Sequence, residues 1–147
     1  MNIKISPRRL TLTLAVIPAA SVIIDYILTF YLAGSQGMVI EWEASPLVRY
    51  AVTNNLMVFY IAAIALFYYG AAYFVFSILE GTPLYKFGVV LVFLISSAHL
   101  LGGMSWYFRT PQYSYSVMAL SYFTIIIAFL TLAYAIVRER SGNPART

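Results

Sequence analysis

Four long apolar stretches constrain this chain more than any other feature. Each is at least about 20 residues long, which as a helix crosses a hydrocarbon core roughly 30 Å thick. Charged residues make up 10% of the sequence, too few to cover a water-soluble domain, which carries roughly 25%. The sequence therefore predicts an all-α polytopic membrane protein, a four-transmembrane-helix bundle with short loops and one domain over residues 1–147. The predicted spans are about 10–33, 56–79, 87–108 and 113–137.

A hydroxyl residue followed by proline stands at the start of each predicted helix. A Ser or Thr side chain caps the free amides of a first turn, and proline at the first position lacks an N–H that would find no partner there. Glycines at positions 34, 81 and 142 are expected to end helices one, two and four. The four start pairs are Ser6-Pro7, Ser45-Pro46, Thr82-Pro83 and Thr110-Pro111.

The second predicted helix is unusually long. Counted from Pro46 to Leu79, it would have about 34 residues and a length of about 50 Å. Its first turns are therefore expected to leave the membrane, to lie along its surface or to bend. On a straight helix, Asn54 and Asn55 would lie at headgroup depth, so we give their amides no part in a site.

Basic residues in the loops predict the orientation, because cytoplasmic loops carry an excess of Lys and Arg. The prediction is a multi-pass protein of the cell membrane with both termini and the 80–86 loop in the cytoplasm. The first stretch imitates a secretory signal, but its apolar run is longer than the 7–15 residues typical of one, so we interpret it as a retained helix. One side would hold Lys4, Arg8, Arg9, Lys86, Arg138, Arg140 and Arg146, and the other Arg49 and Arg109.

Cysteine and charge exclude several classes of site and partner. The chain has no cysteine, so it can form neither a disulfide nor a thiolate metal site. Its net charge of +4 is dispersed over the helix ends, which does not indicate a nucleic-acid partner. The expected partner is membrane lipid, with other membrane subunits or a second copy of the chain as alternatives.

Two ionisable side chains interrupt the apolar stretches. Asp25 is the one acid inside a predicted span, and His99 is the single histidine of the chain. Counted at 1.5 Å per residue from the same side of the membrane, they lie roughly 22 Å and 18 Å deep. Ionisable residues are expensive in hydrocarbon, and by default they mark a functional site. We therefore expect Asp25 and His99 to meet inside the bundle.

Smaller polar residues are placed to share this interior. Two of them flank Asp25 at i−4 and i+4, one flanks His99 at i−3, and a stripe follows one face of helix four. Gly103, four residues after His99, would allow a neighbouring helix to approach closely. The supporting residues are Ser21, Thr29, Ser96, Ser121 and Thr124, with Thr131 further along the same stripe.

The segment "EWEASPL" (41–47) contains a third candidate, Glu43. One interpretation is structural, because an acid just before the Ser45 cap favours the positive end of the following helix. The other is that Glu43 folds back to the mouth of the bundle and joins Asp25 and His99. Carboxylates and imidazole together can bind a divalent metal ion. Such an ion is therefore a candidate cofactor, although the three ligands follow no local spacing rule.

The same residues resemble a known family. An Asp with Thr four residues later in helix one, a Glu-x-Asn-Pro motif opening helix two and a later intramembrane His are similar to a prokaryotic/archaeal family of small four-helix membrane proteins of unknown function. The matching positions here are Asp25, Thr29, Glu43, Pro46 and His99, and Ser45 departs from the family's Asn. The resemblance covers most of the membrane region. It implies a shared architecture and a shared polar site, without a reaction.

Three functions from different classes remain open at this stage. The first is a polar intramembrane site that binds a metal ion or a proton, or acts on a membrane substrate. The second is a non-catalytic structural or accessory subunit, in which the polar pair only holds helices together, since interhelical hydrogen bonds stabilise bundles by about 0.6–2 kcal/mol. The third is a small proton-coupled transporter. No motif decides whether the protein is an enzyme.

Overall fold

Helices account for almost all of the chain that the structure describes. The computed structural model describes the backbone of residues 7–141 and the side chains of residues 10–134, 136 and 137. Within this part the chain is all-α, as predicted, and contains α1 (Pro7–Ala33), α2 (Gln36–Trp42), α3 (Pro46–Thr53), α4 (Met57–Leu79), α5 (Tyr85–Phe108) and α6 (Pro111–Ser141). Four of these helices are long and apolar enough to cross a membrane, over Leu10–Ala33, Met57–Leu79, Tyr85–Phe108 and Pro111–Tyr134.

Most of the predicted helix ends are present. Prolines begin α1, α3 and α6, and the Ser45 side chain accepts a hydrogen bond from the Val48 amide at 3.4 Å. Gly34 and Gly81 adopt φ values of +77° and +75°, which residues other than glycine rarely adopt. Ser6 and Gly142, also named as helix signals, lie outside the described residues.

The Thr82-Pro83 pair acts differently from the prediction, because α5 begins only at Tyr85. The Thr82 hydroxyl and amide both donate to the Leu79 carbonyl, at 2.7 and 3.0 Å. Thr82 therefore satisfies a carbonyl at the end of α4 instead of capping the first amides of α5.

The long second helix, for which a bend in the first turns was one of the expectations, is divided into two helices, α3 and α4. The chain breaks between α3 and α4, where Asn54 caps α3 and donates its side-chain amide to the Tyr50 carbonyl at 2.8 Å. Asn55 then adopts a left-handed φ of +58°, a conformation that asparagine tolerates better than most residues. The asparagine pair thus ends one helix and redirects the chain into the next.

Helices α2 and α3 close one end of the bundle, which we call the α2–α3 end. The sequence did not predict α2, which Ser35 caps by accepting from the Met38 amide at 3.2 Å. Four buried aliphatic residues of α1, α2 and α3 form an apolar cluster here, and aromatic residues of α1, α4 and α5 pack against it. The buried members are Ala33, Val39, Val48 and Val52, and the aromatic ones are Tyr26, Phe30, Tyr60 and Trp106.

The four long helices do not pack equally. Helix α1 packs extensively against α5 and α4, and α6 packs against α5, whereas α4 and α6 barely touch. Helices α1 and α5 approach closely at Gly103, where an added Cβ would lie 2.9 Å from both the Asp25 carbonyl oxygen and the Leu28 Cβ atom. Glycine is therefore required there, and it brings the backbone of α5 against the turn of α1 that carries Asp25.

Candidate intramembrane site

Asp25 and His99 form a hydrogen bond across the α1–α5 interface. The Nδ1 atom of His99 lies 2.9 Å from Oδ2 of Asp25, and the side chains are 21% and 17% exposed respectively. The sequence predicts this meeting from helix depth alone, and the structure places the two groups in direct contact. The pair is the one ion-pair geometry among the side chains that the structure describes.

Two consecutive glycines of α5 make room for the Asp25 side chain. A Cβ at Gly102 would lie 3.6 Å from each carboxylate oxygen, and Gly103 contacts the Asp25 backbone. Asp25 therefore packs against the backbone of α5 at the two glycines and contacts the imidazole of His99 one turn earlier in the same helix. The sequence analysis identified Gly103 but not the adjacent glycine.

Tyr68 of α4 completes the surroundings of the imidazole. Its ring packs edge-on against His99, with centroids 4.9 Å apart and planes at 90°. Tyr68 was not predicted from the sequence to be part of the site. Its depth along α4 was the available signal, since the predicted start of this span at about residue 56 lies next to the observed start at Met57.

A cavity of about 300 Å³ lies on the Asp25 side of the pair, at the α2–α3 end. We call it the polar cavity. Its wall includes Asp25 and Thr29 of α1 together with Glu43, which lies between α2 and α3. Aromatic residues from three helices complete much of the remaining wall, namely Tyr26, Trp42 and Trp106.

Glu43 has both a structural and an electrostatic part in this cavity. Its Oε1 atom accepts a hydrogen bond from the Ser45 amide at 3.0 Å, so the carboxylate stabilises the turn that leads into α3. Burial raises the pKa of Glu43, the Ser45 amide lowers it, and the nearby Asp25 charge raises it again. The two interpretations of Glu43 are therefore compatible, since the residue supports the helix start and faces the same cavity as Asp25.

A second cavity, of about 470 Å³, lies on the His99 side between α4, α5 and α6. We call it the apolar cavity, because aliphatic and aromatic side chains form most of its wall. Phe67 and Phe129, which are 66% and 70% exposed, stand on the α4 and α6 sides of it, where these two helices barely touch. The lipid-facing surface therefore gives access to this space.

The Asp25–His99 pair lies between the two cavities. Asp25 lines the polar cavity, and His99 lines the apolar one. Because Asp25 engages Nδ1, the ring nitrogen left for the apolar cavity is Nε2, which has no hydrogen-bond partner among the described residues. One imidazole thus contacts a carboxylate on one side and a lipid-accessible space on the other.

The supporting residues are divided between these surroundings. Ser121 and Thr124 line the apolar cavity with Thr131, and their hydroxyls donate to helix carbonyls at 2.9 and 2.7 Å. Ser21 donates to the Pro18 carbonyl at 2.8 Å and does not reach the pair. Thr29 lines the polar cavity, whereas Ser96 is buried and its hydroxyl has no partner among the described residues.

The three-ligand metal set considered from the sequence is not formed. Among the described residues, no three His, Asp or Glu side chains converge in a way that could hold a metal ion. Glu43 shares the polar cavity with Asp25, whereas His99 lines the apolar cavity. Asp25 and His99 are therefore the two ligands that remain together, fewer than the three or four that protein zinc sites commonly supply.

Comparison of the chain with protein-family models, curated proteins and solved structures finds no match. The geometry of the pair and its two cavities is therefore the basis for assigning a function.

Proposed function

We propose that this integral membrane protein transfers a proton between the Asp25–His99 pair and a membrane-soluble molecule bound in the apolar cavity. The observation that carries the proposal is the engagement of Nδ1 by Asp25 while His99 lines the apolar cavity. An ionised carboxylate can only accept a hydrogen bond, so Nδ1 carries the proton and Nε2 keeps its lone pair. Nε2 is then the base that faces the ligand.

The surroundings of the pair favour this chemistry. A carboxylate behind an imidazole fixes its tautomer and stabilises the imidazolium that forms when Nε2 takes up a proton. The Tyr68 ring and the α5 glycines hold the two partners in position. Ligands of this cavity would combine a long apolar part with one acidic or hydroxyl group at the end that reaches His99.

The polar cavity supplies a route by which the pair can exchange protons with water. With both termini in the cytoplasm, the α2–α3 end faces the outside, and Asp25 meets external water through this cavity. A site with access to water on one side and to lipid on the other also suits a small proton-coupled transporter. A divalent metal ion has no place in this mechanism, since the described residues offer two ligands.

One observation favours the accessory-subunit alternative. The pair lies next to a close approach of α1 and α5 at Gly103, so its hydrogen bond also holds the two central helices together. An interhelical bond of this kind stabilises a bundle by about 0.6–2 kcal/mol. This stabilisation is compatible with proton transfer. If the protein is instead an accessory subunit, stabilising the bundle is the only role of the pair.

The single histidine allows a direct test. Full-length protein carrying ¹⁵N-labelled histidine in lipid nanodiscs gives signals from one imidazole, which can be followed on adding dodecanoic acid or dodecane at constant pH. We expect dodecanoic acid to move the Nε2 signal saturably towards the protonated position, and dodecane to have no such effect. Equal responses to both compounds would contradict the proposal.

A pair of variants on α6 shows whether the response comes from the apolar cavity. Ala128 lines this cavity, whereas Ala133 lies outside its wall and is exposed. Ala128→Phe should abolish the response to dodecanoic acid by filling the space, and Ala133→Phe should leave it intact. A full response in Ala128→Phe would show that the acid reaches His99 by another route.

A further inference from the structure

The polar cavity contains acceptor groups that the proton-transfer site does not use. Asp25 offers Oδ1 while Oδ2 bonds His99, and Glu43 offers Oε2 while Oε1 bonds the Ser45 amide. Arg49 acts on Glu43 electrostatically from outside the cavity wall, but no Lys or Arg among the described lining residues forms an ion pair with either carboxylate. The charges therefore favour a cation in the cavity.

Thr29 provides an independent indication of a ligand. It is 3% exposed, it lines the polar cavity, and its hydroxyl has no hydrogen-bond partner within the part of the chain that the structure describes. A Ser or Thr hydroxyl inside a helix usually donates a hydrogen bond to a carbonyl of the preceding turn, as Ser121 and Thr124 do here. Among the described residues, the fully enclosed unpaired hydroxyls are those of Thr11 and Ser96. The Thr29 hydroxyl is not one of them, so it reaches the cavity, where a bound donor group would pair with it.

The number and type of acceptors select the kind of cation. Two carboxylate oxygens and one hydroxyl match the three N–H donors of a primary ammonium group. The aromatic wall made by Tyr26, Trp42 and Trp106 attracts a positive charge and packs against adjoining CH₂ groups. A cavity of about 300 Å³ is ample for an ammonium on a short carbon chain.

We propose that the polar cavity binds a primary ammonium group, held by Glu43, the free oxygen of Asp25 and the hydroxyl of Thr29. The amine is either a small free molecule or the headgroup of an ethanolamine lipid, since the cavity lies at the end of the spans where headgroups are found. This site goes beyond the proton-transfer proposal, in which Glu43 and Thr29 have no part.

Ethanolamine tests the proposal on the purified full chain in a non-ionic detergent at constant ionic strength. We expect ethanolamine to raise the melting temperature saturably. Choline keeps the charge but has no N–H donor, and ethylene glycol keeps the size but has no charge, so both should have at least tenfold weaker effects. Equal stabilisation by choline and ethanolamine would overturn the assignment to a primary ammonium.

Matched variants locate the effect. Glu43→Gln removes one charge and should weaken ethanolamine binding at least tenfold, whereas Glu41→Gln, on the exposed side of α2, should leave binding unchanged. Thr29→Val keeps the shape but removes the hydroxyl, and it should weaken binding severalfold even where Glu43→Gln folds poorly. Wild-type binding in Thr29→Val and Glu43→Gln would overturn the proposal.

A third arm distinguishes the two sources of the amine. The affinity of dihexanoyl phosphatidylethanolamine is compared with that of ethanolamine. At least tenfold tighter binding of the lipid supports a lipid headgroup as the ligand, and equal affinities support a free amine. No binding of either compound would overturn the ammonium site. The response of the ¹⁵N-labelled imidazole to dodecanoic acid is measured separately, so failure of one proposal is distinguishable from failure of the other.

Discussion

Asp25 and His99 are 74 positions apart in the chain and 2.9 Å apart at their side-chain atoms, and each lines a different cavity. This relationship makes the pair a boundary between a polar space at the α2–α3 end and an apolar space open towards lipid. A hydrogen bond that only joined two helices would not require a cavity on either side. The two cavities are therefore the reason to assign the pair more than a structural role.

The first prediction concerns the glycine that brings α1 and α5 together. Gly103→Ala should destabilise the fold by about 1–3 kcal/mol, because the new methyl group would lie 2.9 Å from Asp25 backbone and the Leu28 Cβ atom. Gly70→Ala is the matched control, since a Cβ there meets nothing within 4 Å. Unfolding by denaturing detergent measures both, and equal stability of the two variants would argue against close packing at Gly103.

The second prediction separates the structural and functional contributions of the pair. Asp25→Leu or His99→Leu alone leaves one partner unpaired and should cost about 1–3 kcal/mol. The double variant removes both polar groups, so it should be nearly as stable as the wild type. A double-mutant cycle of unfolding free energies measures this, and additive losses would show that the two residues do not interact.

The third prediction follows from the raised pKa of Glu43. Burial disfavours its charged form, so the folded state binds a proton at a higher pH than the unfolded state does. Stability should therefore increase as the pH falls from neutral through this raised pKa, and the stabilisation is lost again as the pH rises through it. The charged groups that act on Glu43 are Asp25, which raises its pKa, and Arg49, which lowers it.

Glu43→Gln isolates that contribution. The variant should melt at a higher temperature than the wild type at neutral pH, and the difference should shrink as the pH falls. Glu41→Gln, at an exposed position, should show no such pH-dependent difference. A constant gap between wild type and Glu43→Gln across the pH range would contradict the burial of this carboxylate.

The fourth prediction tests the orientation in the membrane. The chain has no cysteine, so single introduced thiols report their side without a background signal. Gln36→Cys, at the α2–α3 end, should react with an impermeant reagent added outside intact cells, and Pro83→Cys should react only after the cells are opened. Both positions are exposed. The reverse pattern would invert the topology and place the polar cavity on the cytoplasmic side.

The sequence predicted the four spans because their length is dictated by the bilayer, which acts on each helix separately. It also predicted the Asp25–His99 contact, since two ionisable groups at equal depth avoid lipid by meeting. A bend near the start of the long second helix was one of the expectations, but its position at Asn54 and Asn55 was not predicted, because asparagine is compatible with both a helix and a left-handed turn. The cavities and the position of Tyr68 depend on how α4 and α6 pack around α5, which no local pattern encodes.

The tautomer of His99 decides whether the pair can transfer a proton as proposed, since the transfer requires Asp25 to keep the proton on Nδ1 and leave Nε2 free. In ¹⁵N spectra of histidine-labelled protein near neutral pH, we expect a protonated Nδ1 and an unprotonated Nε2. In Asp25→Asn, the amide can donate to Nδ1 instead, and the proton should move to Nε2 in a substantial share of molecules. A wild-type imidazole already protonated at Nε2, or identical spectra in the two proteins, would contradict the account.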